Sequence, residues 1–364
     1  MITLKTFDDL VCSPETAIRE VMARINATPY LFQVVVDGGG RVLDTVTDGD
    51  IRRAILANTT LDMPVRICMQ QNAVTGRVGD DARNLEKLPA LGSLVPFLPL
   101  LNEDGVLKEI LVVSQAPTER ATALVMAGGP GKRLGERTQE TPKPLLTVGD
   151  KPILQHILER LEAVGIQNIY ISVHHLAERI DAFISDRSNQ ARIHLIHESE
   201  PLGTAGSIGK LPRSLNEPLL VVNGDILTQV DFSALIVFHN RHGYDATIAA
   251  AQHEVELPFG VIRRNEDGMF LGVEEKPLIR NFVVAGIYYL SPQFCSLVPP
   301  GKAMDMPELL NLGRSMGLRI GLFPVHEYWV DVGRPAEFEA AQESHPAATP
   351  GASSERESGS ERES

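Results

Sequence analysis

The sequence predicts an α/β protein whose larger part is a mostly parallel sheet, preceded by a smaller α+β unit. Three observations carry this expectation. From Ala121 to about Gln342, short apolar runs alternate with amphipathic stretches, the pattern of strands joined by crossover helices. Directly after the first of those runs, Ala123 to Val125, comes a turn with three glycines, Gly128, Gly129 and Gly131. Upstream of Ala121, a strand–turn–strand pattern occurs twice.

The N-terminal unit is expected to span residues 1–117. Ile18 to Ile25 is amphipathic and helical in pattern. Phe32 to Val36 reads as a strand closed by the turn Asp37-Gly38, and Val42 to Val46 as its partner. Thr47-Asp48-Gly49-Asp50 then opens a helix from Ile51 to Leu56, with Asp50 as the expected N-cap. The second copy comprises Phe97 to Leu101, the turn Asn102-Glu103-Asp104-Gly105, and Val106 to Val113. This repeat resembles a tandem pair of cystathionine-β-synthase (CBS) domains. The resemblance implies that Thr47 and Asp50 form a Thr-x-x-Asp element contacting the ribose and phosphate of an adenine nucleotide. In the second copy Ser114-Gln115 stands where that element would begin, so its ligand half looks lost. A pair used only for dimerisation or packing is the alternative.

Gln115 to Arg120 reads as a polar linker. Beyond it the expected elements include the helix Ile153 to Val164, the strand Asn168 to Val173, the helix Leu176 to Ser185 and the strand Pro218 to Val222. Residues 345–364 turn to Pro, Ala, Ser, Gly and charge, ending in two copies of Ser-Glu-Arg-Glu-Ser. Such a segment is expected to be a disordered tail.

Composition narrows the function classes. The 364 residues carry a formal charge of −13, which argues against a nucleic-acid surface. No apolar run reaches the roughly 18 residues of a membrane span, and Met1-Ile2-Thr3-Leu4-Lys5 lacks a secretory core. Cys12, Cys68 and Cys295 are too few and scattered for a disulfide framework or a zinc knuckle, so a cytoplasmic location is expected.

The glycine turn points to phosphate chemistry. Glycines let backbone N–H groups approach a phosphate unobstructed, and Arg133 and Lys143 supply cationic donors. Neither common fingerprint fits. A Walker A loop needs Ser or Thr after Gly-Lys, where Arg133 stands, and Gly129, Gly131 and Gly135 are misspaced for a dinucleotide site. Asp225 closes the apolar run Leu219 to Val222, which places a carboxylate at a strand's C-terminal end, suited to Mg²⁺. The four histidines His174, His175, His194 and His197 lack metal-ligand spacing. Neither Ser207 nor Cys295 has the neighbours of a nucleophile.

From Ala121 to Gln342 the chain resembles the sugar-1-phosphate nucleotidyltransferases in five ordered motifs: Gly-Gly-x-Gly-x-Arg-Leu with Lys-Pro-Leu; Pro-Leu-Gly-Thr-Ala-Gly at 201–206; the strand ending in Asp225; Glu-Lys-Pro at 275–277; and Trp-x-Asp-x-Gly at 329–333. The resemblance implies a Rossmann-like, glycosyltransferase-A-like nucleotidyltransferase domain over residues 121–344. It assigns Arg133 and Lys143 to catalysis and Ala127, Gly128, Gly129, Gly131, Gly203 and Thr204 to the nucleotide. Gly203 and Gly206 would let a base lie near the backbone, and Thr204 would open the next helix. Gly260, Glu275, Lys276 and Gly286 fall to the sugar phosphate, and Asp225 with Asp331 to Mg²⁺. The implied reaction joins an NTP, GTP favoured, to a sugar 1-phosphate, glucosamine 1-phosphate or a related hexose phosphate favoured, with release of pyrophosphate. The product would serve surface-glycan or legionaminic-acid-type biosynthesis. UTP or CTP, and mannose or heptose phosphates, are the alternative substrates. A non-catalytic nucleotide-sugar sensor is the alternative of another class. A homo-oligomer is expected, with neither nucleic acid nor membrane as partner.

Overall fold

The computed structural model describes residues 1–28, 30–69, 73–88, 91, 96–113, 121–188, 190–212 and 215–344. The expected linker, the Ser114-Gln115 remnant and the tail from His345 lie outside the described residues. Among the described residues, no helix is long and apolar enough to cross a membrane.

The N-terminal half runs β1 (Ile2–Leu4), β2 (Val11–Cys12), α1 (Ile18–Asn26), β3 (Phe32–Val36), β4 (Val42–Thr47), α2 (Asp48–Leu56), β5 (Gly76–Arg77), α3 (Asp81–Lys87), β6 (Phe97–Leu101) and β7 (Leu107–Val112). The sequence repeat is a repeat of topology. β2 pairs parallel with β3, and β3 antiparallel with β4; β5, β6 and β7 pair in the same way, with β1 added along β7. The two sheets meet through equivalent residues. Phe32 and Phe97, each opening its strand, stack with centroids 3.6 Å apart. Leu107 N–H donates to Gly40 O and Val42 N–H to Gly105 O, matching bonds from the two copies. Leu10, Val34, Ile110 and Val112 complete that core. On the other face of the first sheet, α1 buries Ile18, Val21, Met22 and Ile25, the single stripe its periodicity predicts.

The start of α2 departs from expectation. It begins at Asp48, and Thr47 rather than Asp50 is the N-cap. Asp50 N–H donates to Thr47 Oγ1 at 3.4 Å, while Thr47 N–H donates to Asp50 Oδ2 at 2.8 Å. This reciprocal capping box satisfies two helix-end amides at once, which a lone Asp50 cap would not.

The C-terminal half continues with β8 (Thr122–Met126), β9 (Thr147–Val148), β10 (Lys151–Pro152), α4 (Ile153–Ala163), β11 (Asn168–Val173), α5 (Ala177–Asp186), β12 (Arg192–His197), β13 (Leu219–Asn223), β14 (Ile226–Thr228), α6 (Phe232–His242), β15 (Ala246–Glu256), β16 (Gly260–Arg264), β17 (Phe270–Glu275), β18 (Leu278–Leu290), α7 (Pro292–Cys295), α8 (Met306–Ser315), β19 (Ile320–Val325), β20 (Trp329–Asp331) and α9 (Pro335–Ser344). Its seven-stranded sheet has the order β12-β11-β8-β13-β18-β15-β19, parallel except for β18.

Both faces of this sheet are covered, so its central strands are apolar throughout rather than alternating. Ala123, Val125, Leu220 and Val222 face α4 and α6, whereas Leu124, Leu219 and Val221 face α7 and α8. The first four strands of this sheet in chain order, β8, β11, β12 and β13, lie in the order third, second, first, fourth. The winding therefore reverses between β8 and β13, where open α/β sheets bind ligands. The two halves of the chain join where α2 packs on β19 and where Phe282 of β18 enters the α1–α2 core.

Candidate active site

At that reversal, β8 delivers the glycine turn and its neighbour β13 delivers Asn223-Gly224-Asp225. Gly224 lets the two loops touch. Its N–H donates to Met126 O at 2.9 Å, and a Cβ on it would fall 2.8 Å from the same oxygen. Ala127 is buried and donates to Ser172 O, Gly128 lies against His174 and Glu198, and Gly129 has open space on its Cβ side. Gly131 is left-handed (φ +62). A Cβ there would meet Thr138 Cγ2 at 2.9 Å and Lys143 Cβ at 3.2 Å, so the turn packs directly on the Pro142-Lys143-Pro144 segment. Thr138 Oγ1 donates to Gly131 O at 3.1 Å and holds the turn closed.

Lys143 is the hub. Its side chain is 7% exposed, and its ammonium donates to Asp225 Oδ2 and lies 3.7 Å from Asp331 Oδ1. Asp331 reaches this point on β20, which pairs antiparallel with β14, the strand immediately after Asp225. Register sets Asp331 opposite Ile226, and Val332 N–H donates to Asp225 O at 3.0 Å. Two aspartates distant in sequence thus become neighbours on one small ribbon.

The Asp331 side chain is half-exposed, yet its Oδ1 is shut from solvent with no hydrogen-bond partner among the described residues. Burial, and then the Asp225 charge, raise the Asp331 carboxyl above its ordinary value, against the pull of Lys143. Glu337 adds to the rise and Arg133 opposes it. These groups crowd Gly333, where a Cβ would lie 3.2 Å from both Asp331 Oδ1 and Glu337 Oε2 and 3.5 Å from Arg133 Nη2. Arg133 itself is exposed, on the turn Lys132–Thr138.

The second glycine loop is fastened by Glu198. This buried carboxylate accepts from Ser172 Oγ at 2.6 Å and Leu202 N–H at 3.0 Å, and it flanks Gly128. At Gly203 (φ +74) a Cβ would fall 2.6 Å from Asp305 Oδ1 and 2.7 Å from Met304 O, and at Gly206 2.6 Å from Lys302 O. The chain's own 302–305 segment therefore packs on the Cβ side of both glycines, and that side is not open at either. Nor does Thr204 open the following helix, because the turn Gly206–Lys210 starts after Ala205. Thr204 N–H instead donates to Asp305 Oδ1 at 3.0 Å, and its Oγ1 accepts from Met306 N–H at the start of α8.

Of the sugar-assigned residues, Gly286 (φ +72) lies beside the carboxylate end of the sheet, packed against Asn223. Gly260 and Glu275 face each other across the β16–β17 hairpin, next to Lys276, whose N–H donates to Phe259 O. That hairpin follows the far end of the β15–β18 pair, and all three residues are exposed. Thr47 and Asp50 are engaged in the α2 cap, and Asp50 Oδ1 also accepts from Arg53. Thr47 further lines a cleft with Tyr30, Asp48, Gly49, Arg241 and His242, between the N-terminal half and α6.

Sequence reasoning passed over the roles of Glu198, Asn223, Asp305, Gly333 and Glu337. Glu198 had a signal, a charged residue closing a strand just before a glycine loop. Asp305 had none, since only the fold brings it to Gly203.

A glycine turn, two carboxylates and buried and exposed cations thus meet at the reversal point of an open α/β sheet. Residues 122–347 match the Nucleotidyl transferase family, and the chain belongs to it. It is 32% identical over 223 residues to the mannose-1-phosphate guanylyltransferase catalytic subunit beta of Drosophila pseudoobscura pseudoobscura, covering 59% of this chain and 60% of that one. It is 31% identical over 225 residues to the mannose-1-phosphate guanyltransferase beta-B of Xenopus laevis, covering 59% and 62%. The chain thus spans less than two thirds of the length of these curated relatives. Among solved structures, HddC from Yersinia pseudotuberculosis is 26% identical, with a TM-score of 0.49 over 61% of this chain and 98% of that one. A Bacillus anthracis structure, a candidate glucose-1-phosphate thymidylyltransferase in complex with a sucrose, is 20% identical. Its TM-score is 0.50 over 63% of this chain and 96% of that one, a likeness of fold.

Proposed function

We propose that the chain transfers a nucleotidyl group from GTP to a sugar 1-phosphate, giving an NDP-sugar and pyrophosphate. The observation that carries this reading is the Lys143 ammonium seated between Asp225 and Asp331 beside the Gly131 turn. The relatives named for mannose-1-phosphate guanylyl transfer support the choice of guanine. Glucosamine 1-phosphate or a related hexose phosphate is the favoured acceptor, for surface-glycan or legionaminic-acid-type biosynthesis, with mannose 1-phosphate next.

The chemistry asks little of acid–base groups. A sugar-phosphate oxygen, already anionic, attacks the α-phosphorus in line, and the bond to pyrophosphate breaks. Rate then comes from positioning and charge stabilisation. The backbone N–H groups of Gly128, Gly129 and Gly131 cradle the triphosphate, since the Ala127 N–H is held by Ser172 O and Pro130 has none, and Arg133 stabilises the departing pyrophosphate. An ammonium has three donors, so Lys143 can hold Asp225 and still serve a phosphate oxygen. Asp225 and Asp331 are the residues that would hold Mg²⁺, and the buried Oδ1 of Asp331, which makes no hydrogen bond among the described residues, fits an oxygen ligand to a hard cation. Bound there, Mg²⁺ would supply neutralisation and orientation of the phosphates.

A pyrophosphate-release screen of four NTPs against a panel of sugar 1-phosphates tests the reading. Release with GTP and one acceptor is the expected result. Binding without release for every pair would establish a nucleotide-sugar sensor instead.

The same reading takes residues 1–117 as a tandem CBS pair, self-associating, and 121–344 as the transferase domain. The repeated parallel-then-antiparallel strand pairing favours it, as does the cleft at Thr47 with Arg241 and His242 opposite. Calorimetry of the full chain with AMP and ATP should give heat with one of them. None with either removes the adenine-nucleotide claim.

A further inference from the structure

We infer that Arg52, in the N-terminal half, is a positioning residue for Asp331. This rests on the reading of Asp331 as a cation ligand.

The ribbon that carries the aspartates cannot hold itself. β14 and β20 are three residues each, and a two-stranded element of that size is unstable alone. At the aspartate end it is closed by the bond from Val332 to Asp225. At the other end, Gln229 N–H donates to Tyr328 O at 2.8 Å and Trp329 Nε1 to Ala285 O at 2.7 Å. One residue further back stands Glu327, whose side chain is buried.

Arg52 grips that point from outside the transferase half. Its Nη2 donates to Glu327 Oε1 at 2.8 Å, Nη1 to Pro324 O at the end of β19, and Nε to Asp48 Oδ2 at 2.6 Å. The guanidinium also lies 3.7 Å over the Phe323 ring and is 1% exposed. One side chain therefore ties Pro324 to Glu327, the two ends of the turn that leads into β20. Asp48, its anchor, is the first residue of α2. A continuous path of bonded groups runs from α2 through Arg52 and Glu327 along β20 to Asp331. Arg52 lies outside the segment that matches the family, whereas Pro324 and Glu327 lie inside it. The grip is thus a feature that the N-terminal half adds to a transferase. If it loosens, β20 shifts against β14, and Asp331 shifts against Asp225.

Trp329, the only tryptophan in the sequence, sits on β20, so intrinsic fluorescence reads this strand. Mg²⁺ alone is titrated into the full chain as wild type, Arg52→Lys, Arg52→Gln, Glu327→Gln and the Arg52→Gln/Glu327→Gln double variant. Trp329 fluorescence is followed, and then the Mg²⁺ and GTP dependence of pyrophosphate release. Half-saturating Mg²⁺ should rise about tenfold in either Gln variant, the lower end for groups that orient a metal ligand. KM for GTP should stay at the wild-type value. The double variant should be no worse than the poorer single one, and Arg52→Lys should recover part of the loss. Unchanged Mg²⁺ dependence in the variants overturns the inference alone. So does a joint rise in Mg²⁺ and GTP requirements that tracks lost thermal stability, which is a folding effect. Should Arg52→Gln fail to fold, Arg52→Lys and Glu327→Gln carry the same readout. A wild type without Mg²⁺ response in fluorescence or turnover overturns the cation reading, and this inference with it.

Discussion

Replacing Lys143 with methionine keeps the stem of the side chain but removes the positive charge lodged between Asp225 and Asp331. Lys143 is 7% exposed, Asp225 30% and Asp331 46%. Breaking a fully buried ion pair costs about 3–5 kcal/mol. With both carboxylates partly in water, screening reduces this to about 1–2 kcal/mol. For a unit of this size that is a fall in Tm of about 2–8 °C. The catalytic loss should be larger, about 10²–10³ in kcat, the usual cost of one preorganised donor at a charged reacting centre. The pH profile adds a signed test. Lys143 holds the Asp331 carboxyl down against burial and Asp225. Without it Asp331 protonates at higher pH, and the acid limb of activity moves upward. Thermal melts and pyrophosphate release across pH read all three effects. A Lys143→Met protein with wild-type Tm, kcat and acid limb would refute the role of this residue.

Other outcomes follow from the same geometry. Arg133→Ala should lose about 100-fold in kcat in single-turnover release, and an unchanged kcat removes its role at the leaving group. Gly131→Ala should lower both Tm and activity. A left-handed non-glycine residue costs about 1–2 kcal/mol, and the new Cβ would crowd Thr138 and Lys143; full stability would contradict this. Acid should loosen the junction between the two halves. Burial alone would raise the Asp48 carboxyl, but Arg52 and His326 hold it down to about 2, and Arg52 likewise lowers Glu327. Both folded values lie below the ordinary 3.8 and 4.5, so this stability is complete above those values and is lost as pH falls toward 2. Denaturation measured from pH 6 to pH 2 should show that loss, and Arg52→Gln should flatten it.

Much of the fold was legible because strands and turns here obey local rules. Asn168–Val173 and Phe32–Val36 stand where periodicity put them, since an apolar strand between turn residues has few alternatives. The N-cap of α2 was misjudged by three residues, because a Thr-x-x-Asp box caps in both directions and reading Asp50 alone misses its partner. The places of Asp225 and the glycine turn just past strand ends were legible for the same local reason. What no local rule encodes is the pairing of β14 with β20, which makes Asp225 and Asp331 neighbours. The packing of Asp305 against Gly203 is equally non-local. The junction at Arg52 was invisible in sequence, because a mid-helix arginine reads as solvent-facing until β19 covers it.

The central claim is that Asp225 and Asp331 act as one cation-binding pair. Pyrophosphate release as a function of Mg²⁺, in Asp225→Asn and Asp331→Asn proteins of wild-type circular dichroism, tests it most directly. Each single substitution should abolish Mg²⁺-dependent turnover. Retained turnover with wild-type Mg²⁺ dependence in both would contradict the account.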